Sequence, residues 1–213
     1  SPDDMYALVE KYPQYLSGVS PYVTASANVR QGTEDFERTS VYGVSEAFYR
    51  DDTQKTMQGS TLEEGRFLRY IDVERQQNVC VIGSYIAENA FQGDPLDQEI
   101  SIGGVPYKVV GVLAESGDSS EGSGDDVIYI PYANAQQLGG GYGDMYLMTS
   151  TDRDTAATAK GIIENRLFKT YQSSDYYMVM TSAEMMDAMD SMLNTLMMIL
   201  ILIAAISLLV GGI

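Results

Sequence analysis

The sequence predicts an α+β fold. Two discontinuous α/β pieces, about residues 1–58 and 144–190, flank an insert of mostly strand at 59–143, and residues 191–213 begin a membrane-spanning helix. Three observations carry this. Alternating apolar runs fill the middle of the chain, whereas helical apolar stripes frame both ends. The first and last pieces share one pattern, so they are expected to form a single subdomain although they are apart in sequence. The final stretch LMMILILIAAISLLVGGI, Leu196–Ile213, has no charge, and the 195 residues before it hold all 30 acidic and all 13 basic side chains.

The N-terminal SPDDMYALVEKYPQYL predicts a helix: Ser1 caps it, Pro2 suits its first position, and Asp3 and Asp4 favour its positive end. Met5, Leu8, Val9 and Tyr12 make its buried stripe, and Pro13 weakens the last turn. Val19–Gln31 alternates as a strand, turns at Gly32–Asp35 and pairs with Phe36–Val44, and a short helix follows over Glu46–Arg50. GSTLEEGRFL is turn-rich, and QNVCVIGSYIAENAF reads as a strand followed by a short helix. Gln98–Leu113 forms a hairpin about Gly103-Gly104. An exposed polar loop, ESGDSSEGSGDD, precedes the strand Val127–Ile130 and a Pro131-led helix, and Gly139–Gly143 is a flexible break. Then come a strand at Met145–Ser150, a helix over Asp154–Phe168 with a stripe through Ala156, Ala159, Ile163 and Leu167, and a strand at Tyr176–Met180.

The last helix starts well before the uncharged stretch. Thr181-Ser182-Ala183-Glu184 is a capping box, and Met185, Met189, Met192 or Leu193, and Leu196 follow at three- and four-residue steps. That stripe suits packing on its own domain and packing on a partner helix equally. One helix from Ser182 to Ile213 would be roughly 48 Å long and would join the domain stiffly to the membrane. Apolar residues cover the whole circumference of the final stretch, which marks a span rather than a one-sided core helix. No helix terminator follows Val210-Gly211-Gly212-Ile213, so the expectation is a segment of a longer protein. No Lys or Arg lies nearer the span than Lys169, while Asp187 and Asp190 sit just ahead of it, which places the body on the extracytoplasmic side.

Composition narrows the functions. A net charge of −17 without clustered Lys or Arg excludes nucleic acid as a partner. Histidine is absent, which removes Ser-His-Asp and Cys-His catalysis and the HExxH zinc site. The single cysteine, Cys80, lies in the apolar run NVCVIGS and reads as a small core residue. No G-x-x-x-x-G-K-[ST] is present, so any nucleotide binds elsewhere.

The segments FYRDDTQKTMQGSTLEEGRFL, NVCVIGSYIAENAFQGDPLDQEISIGGVPYKVVGVLAESG and DDVIYIPYANAQQL, followed by the terminal helix, resemble the extracytoplasmic core domain of MacB-like ABC transporter permeases. The matching residues include Gly65, Phe67, Gly83, Asp94, Pro95, Gln98, Gly104 and Gly111. Asp97 stands where the family usually has Gly, and Tyr107 where it has Phe. The resemblance implies a membrane-proximal "porter" subdomain built from the two outer pieces and an outer "sabre" subdomain built from the insert. It also implies a cell-membrane protein with this non-catalytic domain on the extracytoplasmic side, a homodimer with a second permease copy, and an ABC ATPase subunit or domain that binds the ATP. An extracytoplasmic adaptor protein is a further implied partner, and no cofactor is implied in this chain. In this picture the helix carrying Thr181, Glu184, Met185, Met189, Met192 and Leu196 couples ATP-driven motion to the outer domain. The competing reading is a stand-alone, membrane-anchored binding or adhesion module; a surface hydrolase is a third.

Sharper site ideas fare less well. Asp118, Glu121, Asp125 and Asp126 lack the EF-hand spacing and read as a solvated loop. Gly139–Gly143 has no following helix start to cradle a phosphate. Met185, Met186, Met189, Met192, Met197 and Met198 suit an adaptable apolar contact surface, although core and stalk packing explain them equally well.

Overall fold

The structure is a computed structural model describing residues 2–139, 141 and 145–211. The chain divides into two compact units, residues 1–149 and 150–213.

The first unit is built on a ten-stranded sheet. Its helices are α1 (Pro2–Lys11), α2 (Tyr70–Glu74), α3 (Ser84–Ala90) and α4 (Tyr132–Gln137). The strands of the sheet are β1 (Leu16–Ala25), β2 (Val29–Gln31), β3 (Glu34–Phe36), β4 (Ser40–Val44), β7 (Leu62–Gly65), β8 (Val79–Ile82), β9 (Glu99–Ile102), β10 (Val105–Leu113), β11 (Val127–Pro131) and β12 (Met145–Ser150). A small separate hairpin pairs β5 (Tyr49–Arg50) with β6 (Lys55–Thr56). The order across the sheet is β12-β1-β4-β11-β8-β10-β9-β2-β3, with β7 also on β10. β4 runs parallel to β11 and β8 parallel to β10; β1–β4, β11–β8, β10–β9, β2–β9 and β2–β3 are antiparallel. Strands from residues 1–58 and 59–143 therefore interleave in one sheet, through β4–β11 and β2–β9.

The central strands are apolar without interruption because both their faces are covered. In β8, Cys80 and Ile82 enter a cluster with Val23, Val41, Ile100, Ile102, Val109, Ile128 and the α3 residue Ile86. Val79 and Val81 point into a second cluster with Phe48, Phe67, Leu113, Val127 and Tyr129. β11 alternates in the same way, Ile128 and Ile130 to the first cluster and Val127 and Tyr129 to the second. Cys80 is wholly buried, and burial pushes its thiol pKa up, so it is an inert core residue.

Several local expectations change. Val19–Gln31 is two strands: β1 pairs with β4, whereas β2 turns at Gly32-Thr33 to pair with β3 and then joins β9 at the far side of the sheet. Alternation alone does not reveal where a strand breaks to change neighbours. Over Glu46–Arg50 only a 3-10 turn, Glu46–Phe48, forms before the chain extends into β5. Ser174–Tyr176 is another 3-10 turn and residues 177–180 form no strand. Apart from Gly139 and Gly141, the glycine-rich break lies outside the described residues.

The second unit is helical: α5 (Ala156–Tyr171), the Ser174–Tyr176 turn and α6 (Ser182–Gly211).

Candidate functional site

α6 runs for 30 residues without a break, about 45 Å at 1.5 Å per residue. Its start is fixed by reciprocal bonds. The Thr181 amide donates to Glu184 Oε2 at 2.8 Å, and the Glu184 amide donates to Thr181 Oγ1 at 3.2 Å. The other oxygen of Glu184 accepts from Lys160 Nζ on α5 at 2.7 Å. Lys160 also lies 3.8 Å from Glu164, one turn along its own helix. The hydrogen bond to Glu184 holds the Lys160 pKa above its ordinary value. A second tie joins the approach to α6 with α5: the Tyr177 hydroxyl donates to the Glu164 carbonyl at 3.3 Å, and the Tyr171 and Tyr177 rings lie 6.3 Å apart. One carboxylate thus both caps α6 and pins it to α5. Lys160 gives no sequence signal for this role, because its partner lies 24 residues away.

Beyond that anchor α6 is bare. Met185, Met189, Met192 and Leu196 are 51%, 60%, 66% and 46% exposed among the described residues. Residues 182–209 are long and apolar enough to cross a membrane, and none of the most apolar window is buried.

The acidic loop behaves differently from expectation. Asp118 and Glu121 are exposed, but Asp125 and Asp126 are buried acceptors that hold the loop. Asp125 accepts from the Ser116 amide and hydroxyl at 2.9 and 2.6 Å, and Asp126 accepts from Thr39 Oγ1 at 2.6 Å and the Gly122 amide at 2.7 Å. The solvated-loop reading fails for these two, whose oxygens close the loop on itself and, through Thr39, tie it to the start of β4. Among the described residues no three His, Cys, Asp or Glu side chains gather to hold a metal.

Residues 1–165 match the family model of the MacB-like periplasmic core domain. The chain belongs to that family. Among curated relatives, the pyoverdine export ATP-binding/permease protein PvdT of Pseudomonas syringae pv. syringae is 37% identical over 155 residues, 70% of this chain and 24% of that protein. The macrolide export ATP-binding/permease protein MacB of Bdellovibrio bacteriovorus is 31% identical over 206 residues, 93% of this chain and 31% of that protein. The chain thus spans a quarter to a third of the length of such relatives. The periplasmic region of MacB from Actinobacillus actinomycetemcomitans superposes with a TM-score of 0.70 at 21% identity, over 89% of this chain and 82% of that one. The extracellular domain of the noncanonic ABC-type transporter YknZ from Gram-positive bacteria gives 0.66 at 20% identity, over 84% and 88%. These two establish a shared fold.

The MacB-like signature residues are packing and turn devices here. Gly83 closes the β8–α3 turn, where a Cβ would run into the Asp125 carbonyl. Gly103 and Gly104 reverse the β9–β10 hairpin at φ of 60° and 82°. Gly65 and Gly111 face each other across β7 and β10, with no room for a side chain on either. Asp94 Oδ1 accepts from the Leu96 amide at 2.8 Å, Pro95 is buried, and the Gln98 side chain donates back to the Asp94 carbonyl. Phe67 is buried against Tyr49, with ring centroids 5.3 Å apart. Asp97 has φ of 65°, which explains why glycine is usual there, and it pairs with Lys108 at 2.7 Å.

Proposed function

We propose that this chain is the extracytoplasmic domain of an ABC-type export permease, and that α6 carries ATP-driven motion of the membrane helices outward to it. The observation that carries the reading is the continuity of α6. It is capped and ion-paired at Thr181–Glu184 and runs unbroken into a stretch that is uncharged and uncovered. An uninterrupted helix transmits tilt and translation, which a flexible linker would absorb. The ATP is bound by an ABC ATPase subunit or domain, the working form is a homodimer of permeases, and the first unit presents the surface for cargo or an extracytoplasmic adaptor. Residues 1–58 with 144–190 act as the membrane-proximal porter part and residues 59–143 as the outer sabre part.

Cysteine crosslinking in the intact permease tests this. With Met189→Cys in both copies and Cys80 buried out of reach, a short bis-maleimide should join the two helices. Trapping the ATPase with vanadate should then change the yield. Absence of any crosslink, or a yield indifferent to trapping, refutes the reading.

A further inference from the structure

Ahead of the uncharged stretch, α6 uses methionine where an apolar helix face ordinarily uses leucine. Met185, Met186, Met189 and Met192 fall within eight residues, and Leu193 is the one branched aliphatic between 185 and 193; farther on, leucine and isoleucine dominate. Leucine and methionine form helices about equally well, and leucine defines a packed seam better because methionine has an extra rotatable bond. Helix formation therefore does not account for the choice. What methionine adds is a thioether, a soft and polarisable donor that suits Cu(I)-like ions.

The geometry gathers three of these sulfurs. At 3.6 residues per turn Met185, Met189 and Met192 lie within about 60° of arc on one face. Side chains three and four apart have Cβ atoms about 5–6 Å from one another. Each sulfur stands two bonds farther out on a flexible stem, so Met189 can share an ion with the residue on either side. All three are more than half exposed. Asp187 and Asp190 lie on the other side of the helix from this face and Glu184 is already held by Lys160, so thioether sulfur alone would supply the ligands. Stronger soft ligands do not compete, since histidine is absent and the only cysteine is buried.

We infer that Met185, Met189 and Met192 form a surface site for a soft monovalent cation, Cu(I) or Ag(I), held by thioether sulfur on the first three turns of α6. The inference stands apart from the export reading and survives its failure. The rival account is a purely apolar seam awaiting another helix, which leucine would serve as well.

The test is titration of the chain, held in detergent micelles, with silver nitrate in chloride-free buffer, followed through ¹³C-methyl-labelled methionine by NMR. One equivalent should move the methyl resonances of Met185, Met189 and Met192 and leave those of Met5, Met57, Met197 and Met198 in place. The Met185→Leu/Met189→Leu/Met192→Leu variant keeps the helix, as circular dichroism will confirm, and should bind silver at least about a hundredfold more weakly. No shift at the three residues, equal shifts at every exposed methionine, or undiminished affinity in the leucine variant overturns the proposal.

Discussion

Lys160 on α5 reaches Glu184 in the first turn of α6, Nζ to Oε1 at 2.7 Å, while the other Glu184 oxygen accepts from the Thr181 amide at 2.8 Å. Removing the lysine leaves the cap intact, whereas removing the carboxylate loses both contacts. Glu184→Ala should therefore accelerate hydrogen exchange at amides 182–187 more than Lys160→Met does. Thr181→Ala should cost about 1 kcal/mol of helix stability through its lost cap. Equal exchange in the Glu184 and Lys160 variants would show that the cap does no anchoring.

Asp72 is buried, and its oxygens accept from Arg66 Nη1 and Nη2 at 2.6 and 3.3 Å and from the Arg69 amide at 2.8 Å. Asp72→Ala strands a half-buried guanidinium and opens the start of α2. The expected loss is about 3 kcal/mol, read from the urea midpoint. A midpoint within error of the parent would mean that solvent compensates the arginine.

Two backbone positions separate steric from conformational demands. Gly83→Ala has no room beside the Asp125 carbonyl and should cost about 2 kcal/mol or more. At Asp97, φ of 65° penalises a β-branched side chain by about 1–2 kcal/mol, so Asp97→Val should melt well below Asp97→Gly. Calorimetry ranks the three variants. An Asp97→Val midpoint matching Asp97→Gly would contradict the left-handed assignment.

Burial raises the phenol pKa values of Tyr22 and Tyr129 and pushes Tyr6 up to about 12. Gln58 bridges the first two, donating to the Tyr22 hydroxyl and accepting from Tyr129, each at 3.1 Å. The folded protein thus holds these protons above pH 10, where the unfolded chain releases them. Their contribution to stability is complete below pH 10 and is lost as pH climbs through the folded values. Absorbance at 295 nm should show Tyr6, Tyr22 and Tyr129 ionising only with unfolding. A single transition near pH 10 for all 16 tyrosines would exclude this core.

Legibility in the sequence followed the physics of each segment. Val79–Ile82 and Ser84–Ala90 read directly as strand and helix, because an apolar run ends at a glycine that the turn requires. The Gly103-Gly104 hairpin was equally plain. The break between β1 and β2 was hidden, since both halves alternate and only their partners differ. Tyr176–Met180 looked like a strand by composition, but strands need neighbours. In the acidic loop, Asp125 and Asp126 resemble Asp118 by type, and only the fold brings Ser116 and Thr39 to them. In the candidate site the Thr181–Glu184 cap was visible as a local motif; Lys160 was not.

The proposed transmission of motion along α6 is tested most directly by the distance between the first units of two copies in the intact permease. Nitroxide labels at Asp118→Cys of the two copies report it by pulsed electron resonance, with and without vanadate-trapped ATP. With α6 unbroken the distance distribution should shift on trapping. In a Met189→Pro background that still hydrolyses ATP the shift should vanish. An equal shift in both proteins would contradict the account.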